Sequence, residues 1–243
     1  MVNAHLIVGD GGNVLVDAGL PGATKAVGET LARHGLAWSS IQAIVVTHAH
    51  VDHAGGTAEL RERTGAQVIA HAAERAHLAG AAPMTFCPTG WVGRLFVRRS
   101  FIHERYRAVE PDVVLDGDAP LDLARFGVAG RVRHTGGHTA GSLAVTLATG
   151  EALVGDLVAS GMLLGGLART GHAIRPPFED DPPAVGAALE RLLADGATTF
   201  YLGHGGPLDA RTVARHAHML RTAPRGAPHP QRMANLIDSG NAM

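Results

Sequence analysis

Four side chains of types that bind metal ions occur within six residues of one another: His48, His50, Asp52 and His53. They follow a run of β-branched residues, and open α/β sheets place their sites at the carboxyl ends of strands. Alternate residues of an extended chain point the same way, so His48 and His50 can reach one ion. Asp52 and His53 lie on the turn into the next expected helix and can face a second position. A role in capping that helix is the alternative, but a cap needs only one Asp or Ser, so the cluster predicts a metal site.

Three further polar residues each stand at the end of an expected strand and beside glycine: His138, Asp156 and His204. Glycine permits tight turns and close approach of the backbone to a ligand shell. Taken singly, each residue also fits an ordinary loop position. Their order along the chain and their shared context make them candidate partners of the first cluster.

The elements that must position these residues alternate between strand and helix in the first half of the chain. Segments 5–8 and 14–16 flank a glycine-rich turn and predict a β-hairpin. A helix over 24–34, a strand over 43–47, a helix over 57–63 and a strand over 67–70 follow. This order is typical of a sheet with parallel strands that carries helices on its face.

From residue 112 onward, short strands at close spacing predict an antiparallel sheet: 113–115, 121–123, 128–134, 142–147 and 152–154. A helix over 183–193, a strand over 198–202 and a helix over 209–220 complete the pattern. Two mixed sheets flanked by helices would accommodate this order as a four-layer αββα sandwich of the α/β (α+β) class. We expect one domain over 1–221, with 81–107 as a candidate lid insertion and 222–243 as a tail without assigned structure.

Composition excludes several classes of protein. The 243 residues carry a formal net charge of -1, so no global field attracts nucleic acid or an acidic membrane surface. The single cysteine, Cys87, excludes an internal disulfide. No apolar run reaches the roughly 18 residues that span a membrane, and the first apolar segment is too short for a signal peptide, which predicts a cytoplasmic protein. Among the 15 histidines, we expect His71 and His216 to be ordinary surface residues.

In sequence and order these motifs resemble those of the metallo-beta-lactamase superfamily, which carries an H-x-H-x-D-H motif, then a histidine, an aspartate and a final histidine. The resemblance covers residues 3–220 and includes Asp17 at the end of the first hairpin. It implies the αββα sandwich and two divalent metal ions, with zinc favoured and iron or manganese as alternatives. It also implies that one ion binds His48, His50 and His138, that the other binds Asp52, His53 and His204, and that Asp156 bridges them. Asp17 is then expected to orient a metal-binding residue through a hydrogen bond. The alternative is that Asp17 is a plain turn residue.

The charges of this ligand set predict the chemistry that the resemblance implies. Two carboxylates face two divalent ions, and the remaining positive charge lowers the pKa of a bridging water, so hydroxide is available as a nucleophile. Asp52 is expected to act in catalysis by orienting or moving the proton. The predicted function is therefore hydrolysis of an ester, thioester or lactone.

The aspartate at position 156 indicates the branch that contains hydroxyacylglutathione hydrolase and the lactonases. A β-lactamase is less favoured, because a cysteine at that position and an export signal are both missing. The chain also lacks the basic C-terminal helical region of the glutathione enzyme. A mononuclear iron persulfide dioxygenase of the same fold is the alternative from another reaction class.

Two segments without a metal role are candidates for recognition of a small-molecule substrate. Segment 81–107 carries Trp91 among arginines, although a solvated helical insertion is the alternative reading. Segment 157–177 is apolar and glycine-rich, with Met162 and Leu163–Leu164 as candidate pocket wall and His172 as a candidate polar contact. No nucleic-acid or membrane partner is expected, and a homodimer is left open.

Overall fold

A computed structural model describes residues 2–162 and 168–223.

The first half of the chain builds a five-stranded mixed sheet. Five strands pair in the order β1-β2-β3-β4-β5, with β1 antiparallel to β2 and the others parallel. Their bounds are His5–Val8 (β1), Asn13–Val16 (β2), Ile41–Val45 (β3), Gln67–His71 (β4) and Val113–Leu115 (β5). The helices in this half are Thr24–Arg33 (α1), Val51–Ala54 (α2), Thr57–Thr64 (α3), Arg75–Leu78 (α4) and Gly90–Phe96 (α5).

The second half builds a six-stranded sheet and a short two-stranded ribbon. Its strands are Leu121–Asp122 (β6), Gly130–His134 (β7), Leu143–Leu147 (β8), Glu151–Leu153 (β9), Ala159–Ser160 (β10), Ala173–Ile174 (β11), Thr199–Tyr201 (β12) and Leu208–Asp209 (β13). The sheet order is β13-β12-β9-β8-β7-β6, and only β9 and β12 run parallel. Strands β10 and β11 form the ribbon. Helix α6 (Pro182–Ala194) lies between β11 and β12, and α7 (Ala210–Arg221) follows β13.

Three layers of buried apolar side chains define the sandwich. Val14 and Val16 of β2 face the core between the sheets, whereas Leu15 between them faces α1 and α3. This period of two is what a strand covered on both faces requires. On the far side, Phe200 of β12 packs among buried side chains of α6 and α7. The four-layer αββα sandwich of two mixed sheets predicted from the sequence is confirmed.

One strand was assigned to the wrong sheet from the sequence. Segment 113–115 was expected in the antiparallel half, but β5 pairs in parallel with β4, with Ile69 opposite Val113. A strand of three residues carries no local signal for its partner. Its place at the edge of the first sheet is decided by the long connection through α4 and α5.

Two histidines expected at the surface are buried, and that expectation was wrong. His216 lies on the inner face of α7 beside Val213 and Ala217, and only 3% of its surface is exposed. His71 is the last residue of β4 and stacks on His134, with ring centroids 3.9 Å apart. The helical and strand periods place both side chains toward the interior.

Segment 81–107 contains α5 and a 3-10 turn, Ser100–His103. Its Phe86 and Ile102 form a small apolar cluster with Phe178 from the second half. Two backbone hydrogen bonds reinforce the contact, from Thr89 N–H to the carbonyl of Pro177 and from Glu179 N–H to the carbonyl of Cys87. The segment is therefore packed against residues 177–179, and its use as a lid stays a prediction.

None of the helices in the described part of the chain is long and apolar enough to cross a membrane.

Candidate metal centre

The histidine-rich cluster lies at the carboxyl end of the first sheet. After β3 ends at Val45, the chain runs through His48 to His50, which is the N-cap residue of the one-turn helix α2. Helix α2 then carries Asp52 and His53. The three imidazoles are buried, whereas 29% of the Asp52 side chain is exposed. The parallel strands thus present the cluster at one edge of the sandwich, where the second sheet can approach it.

The second sheet brings its three polar residues to the same place. Potential ligand atoms form three groups, and within each group they lie within 4.8 Å of one another. The first group is His48, His50 and His138, the second is His48, His53 and Asp156, and the third is Asp52, His53 and His204. All seven residues that the sequence singled out therefore meet in one cluster, which could hold a metal ion.

The distances between ligand atoms fit coordination of a metal. His48 Nε2 lies 3.2 Å from His138 Nε2, and His204 Nε2 lies 3.2 Å from Asp52 Oδ2. Asp156 is central, since its two oxygens each lie 3.4 Å from an imidazole, Oδ1 from His53 Nε2 and Oδ2 from His204 Nε2. Tetrahedral ligands at 2.0–2.1 Å from zinc stand about 3.4 Å apart, so the observed spacing leaves room for an ion between them.

Several buried atoms in the cluster lack the hydrogen-bond partner that a buried polar atom requires. His50 Nε2, His53 Nε2, His138 Nδ1 and Asp156 Oδ1 make no hydrogen bond within the described part of the chain. Such atoms are costly unless something else satisfies them. Imidazole nitrogen and carboxylate oxygen are ligands for zinc, iron and manganese, and the donor set therefore fits a metal centre.

The electrostatics of the first group favour neutral imidazole. Burial is the largest influence on the pKa of each histidine in this group. It lowers the pKa of His50 to about 4 and that of His138 to about 3. Burial together with the neighbouring His53 also holds the pKa of His48 well below its usual range. A neutral imidazole keeps the lone pair with which it binds a metal.

The remaining histidines are paired with carboxylates. Burial alone would lower their pKa values, but Asp156 and Asp52 together outweigh it and raise the pKa of His204 to about 10. The pKa of His53 is likewise raised well above its usual range by Asp156 and Asp17, against burial. A metal ion that binds these two imidazoles would therefore compete with protons for the same nitrogen atoms.

Asp17 contacts the cluster from behind. Its Oδ2 accepts hydrogen bonds from His53 Nδ1 at 2.8 Å and from the hydroxyl of Thr47 at 2.9 Å. Its Oδ1 accepts the backbone N–H of Thr47 at 2.8 Å. His48 Nδ1 lies 3.1 Å from the same hydroxyl, whose oxygen can accept a hydrogen bond from Nδ1–H. These contacts leave the Nε2 atoms of both histidines directed at the other ligands, which is the geometry expected of a residue that orients ligands.

Glycines allow the two sheets to approach at the cluster. A Cβ atom on Gly203 would lie 2.3 Å from Asp156 Oδ1 and 2.4 Å from Cε1 of His53. Gly155 adopts a positive φ of 50°, and a Cβ there would lie 2.7 Å from the hydroxyl of Thr47. A side chain at either position would push the ligand-bearing loops apart.

Three contacts of the cluster were missed in the sequence. Glu74 is buried and accepts hydrogen bonds from the loops of His50 and His138. It follows β4, which is parallel to β3 and ends at the same edge, and this position was an available signal. Phe86 stacks on His50 with ring centroids 4.8 Å apart, and Phe178 meets the same ring edge-on at 6.2 Å. No spacing in the sequence connects these two phenylalanines with His50.

The candidate pocket residues lie at the surface. Trp91 on α5 is 73% exposed and Met162 is 59% exposed, and His172 is also exposed, in the loop between β10 and β11. Leu163 and Leu164 lie outside the described residues. The ribbon nevertheless contacts a ligand loop, since Ser160 N–H donates to the carbonyl of His204. A role of these residues in substrate binding stays a prediction.

Comparison with known proteins gives the family. The family model of the metallo-beta-lactamase superfamily matches residues 1–204. A curated hydroxyacylglutathione hydrolase from Anaeromyxobacter dehalogenans is 33% identical over 154 residues, which cover 63% of this chain and 44% of that protein. A protein from Bacillus subtilis named as a probable metallo-hydrolase is 29% identical over 170 residues, 69% of each chain. The chain belongs to the metallo-beta-lactamase superfamily.

Solved structures agree with this assignment. A metallo-beta-lactamase family protein from Thermus thermophilus superposes with a TM-score of 0.64 at 28% identity, over 90% of this chain and 73% of that one. The match to the Anaeromyxobacter hydrolase spans less than half of that protein's length. The match therefore assigns this chain to the superfamily and does not carry over the activity of the whole relative.

Proposed function

We propose that this chain is a metal-dependent hydrolase that cleaves an ester, thioester or lactone bond in a small molecule. The observation that carries the proposal is the convergence of seven side chains into three overlapping groups at one edge of the sandwich. The names of the two curated relatives, a hydroxyacylglutathione hydrolase and a metallo-hydrolase, support the reaction class. Neither name specifies the substrate of this chain.

We assign two metal ions to the centre, with zinc favoured and iron or manganese as alternatives. One ion would be held by His48, His50 and His138, and the other by Asp52, His53 and His204. Asp156 would bridge them, because it lies 3.4 Å from His53 and His204 of the second position and also shares a group with His48 of the first. The burial of the imidazoles keeps bulk water from competing for their nitrogen atoms.

Bound ions would supply a Lewis acid for the scissile carbonyl and would lower the pKa of a water molecule. The chain's own contribution is positional. Asp52 is the most accessible carboxylate of the cluster, and His204 and His53 lower its pKa against the effect of burial. An ionised carboxylate in this position can orient a water molecule and hold its proton, so we assign Asp52 the catalytic role. Asp17 is assigned to orient His53.

The decisive experiment combines metal analysis with a substrate panel. The purified chain should contain close to two metal ions, and it should cleave at least one member of a panel of esters, thioesters and lactones without oxygen uptake. Asp156→Ala should lose metal and activity, whereas Glu29→Ala, which removes an exposed carboxylate from α1, should retain both. A chain that binds no metal in metal-supplemented medium would refute the proposal.

Two additions to the panel, glutathione persulfide and a β-lactam, separate the competing functions. One iron per chain together with oxygen consumption on glutathione persulfide would establish the dioxygenase in place of the hydrolase. Cleavage of a β-lactam alone would establish the β-lactamase. We propose a cytoplasmic location and no nucleic-acid or membrane partner on the basis of the charge and composition of the chain.

A further inference from the structure

Glu74 connects two loops that carry candidate metal ligands. It ends the 3-10 turn Ala72–Glu74 that follows β4, and only 2% of its surface is exposed. Its Oε2 accepts the backbone N–H of Ala49 at 2.9 Å. Its Oε1 accepts the hydroxyl of Thr139 at 2.8 Å and the backbone N–H of Gly141 at 2.9 Å. One carboxylate therefore joins the first sheet's loop to the second sheet's loop through three hydrogen bonds.

The backbone of Ala49 is held at both its N–H group and its carbonyl group. Glu74 accepts its N–H, and the hydroxyl of Tyr106 donates a 2.7 Å hydrogen bond to its carbonyl oxygen. Ala49 lies between His48 and His50, so fixing its backbone fixes the directions in which both imidazoles leave the chain. Tyr106 comes from segment 81–107, and this contact gives that segment a link to the cluster.

The loop of His138 is fitted around the same carboxylate. A Cβ atom on Gly141 would lie 2.6 Å from Cγ of Glu74, so glycine is required there for the close approach. The Thr139 hydroxyl that donates to Glu74 also lies 2.9 Å from the hydroxyl of Ser142. Backbone bonds from Asp180 N–H to the carbonyl of His138 and from Asp181 N–H to that of Gly137 complete the support.

The second half of the cluster has a different support. Asp17 binds His53 directly, and it reaches Thr47 but neither Ala49 nor the His138 loop in the described contacts. The two buried carboxylates thus have different direct contacts: Glu74 joins the loops of Ala49 and His138, whereas Asp17 binds His53 and reaches His48 only through the hydroxyl of Thr47.

We propose that Glu74 is a positioning residue that sets the spacing of His48, His50 and His138 for the metal ion these three would hold. The inference rests on the proposed function, because it assumes that this group binds an ion. Glu74 touches no ligand atom, and it acts through the backbone of Ala49 and the loop 139–141. Its removal should weaken the first metal position more than the second.

Two substitutions of Glu74 should weaken metal binding to different degrees. Glu74→Gln keeps the shape, but its amide group faces at least one backbone N–H donor and cannot accept from it. Glu74→Ala removes all three acceptors. We expect affinity for the more sensitive metal position to fall about tenfold for Glu74→Gln and about a hundredfold for Glu74→Ala, the range seen when residues behind a ligand are changed.

Three readouts distinguish positioning from a general loss of stability. Zinc affinity is measured by competition with a chromophoric chelator, ligand geometry by the visible absorption of the cobalt-loaded chain, and stability by urea unfolding of the metal-stripped chain. Asn13→Ala serves as the matched control, because Asn13 is equally buried and donates to Ser40, in the turn before β3, away from the cluster. It should lower stability without a change in zinc affinity or in the cobalt spectrum.

A second comparison assigns the effect to one position. Asp17→Asn should weaken the position that contains His53, so the two variants should alter different steps of a two-step zinc titration. If Glu74→Ala does not fold, Thr139→Val is used in its place, because it removes only one of the three donors to Glu74. Its zinc affinity should fall by a few fold if Glu74 positions the ligands.

The outcomes separate this proposal from the one on which it rests. A wild-type chain that binds neither zinc, iron nor manganese refutes the metal-dependent function and this inference with it. A wild-type chain that binds zinc, with Glu74→Gln and Thr139→Val binding it equally well and showing the wild-type cobalt spectrum, overturns the role of Glu74 alone. Graded losses at one position, with Asn13→Ala unaffected, support it.

Discussion

The Nδ1–H group of His53 donates a 2.8 Å hydrogen bond to Oδ2 of Asp17, and both side chains are buried. Asp17 reaches this position from the end of β2 with a positive φ of 63°, which is unusual for a residue other than glycine. A strained backbone conformation at a ligand cluster is a common mark of a functional constraint. The contact fixes Nε2 of His53 toward Asp156.

Replacement of Asp17 by asparagine should weaken metal binding. The amide oxygen can replace only one carboxylate oxygen, so either His53 or the backbone N–H of Thr47 loses its acceptor. We expect the affinity to fall by about 10- to 100-fold, as measured by chelator competition. Asp17→Asn with wild-type zinc affinity would show that Asp17 is only a turn residue.

Gly203 should be intolerant of even one methyl group. In Gly203→Ala the new Cβ would meet Asp156 Oδ1 at 2.3 Å and Cε1 of His53 at 2.4 Å, so these side chains must move. We expect at least a tenfold loss of metal affinity in titrations of the purified variant. Gly171→Ala is the control, since nothing lies within 4 Å of a Cβ there, and it should bind metal normally. Equal affinities of the two variants would contradict the tight packing of this edge.

Metal removal should destabilise the folded chain. A ligand that binds only the folded state adds about 2.7 kcal/mol at a free concentration of 100 times its dissociation constant. Urea unfolding with and without added zinc should show this difference in the wild type. The gain should shrink in Asp156→Ala, which loses the residue that contacts both His53 and His204. An unfolding curve that does not respond to zinc would count against the centre.

Stability should fall in mild acid because of His216. Burial, with a smaller effect from Arg175, lowers its pKa in the folded chain from 6.5 to about 4. Between these values the unfolded chain binds more protons than the folded chain. The contribution of His216 to the free energy of unfolding is therefore fully retained above about pH 6.5 and is lost as the pH falls toward 4.

The variant His216→Leu isolates this effect, since it cannot take up the proton. The difference in unfolding free energy between pH 8 and pH 5 should be about 2 kcal/mol smaller in the variant than in the wild type. Urea unfolding of metal-stripped protein at the two pH values measures it. Identical pH dependences would show that His216 is not buried in solution.

The sequence by itself identified the αββα architecture and all seven residues of the cluster. Periodicity of apolar residues located the strands and helices, and metal-ligand residue types recurred at strand ends beside glycine. These signals are local, because each depends on a few neighbouring residues. Asp17 was singled out only through the family resemblance, which places an acidic residue at the end of the first hairpin.

Only the tertiary structure decided which distant residues meet. The pairing of β5 with β4 depends on a crossover of about forty residues, and a three-residue strand contains no record of its partner. Glu74 became visible as a link only when the loops of Ala49 and Gly141, 92 positions apart, were placed on either side of it. Such contacts join segments that are far apart in the chain, and no local pattern encodes them.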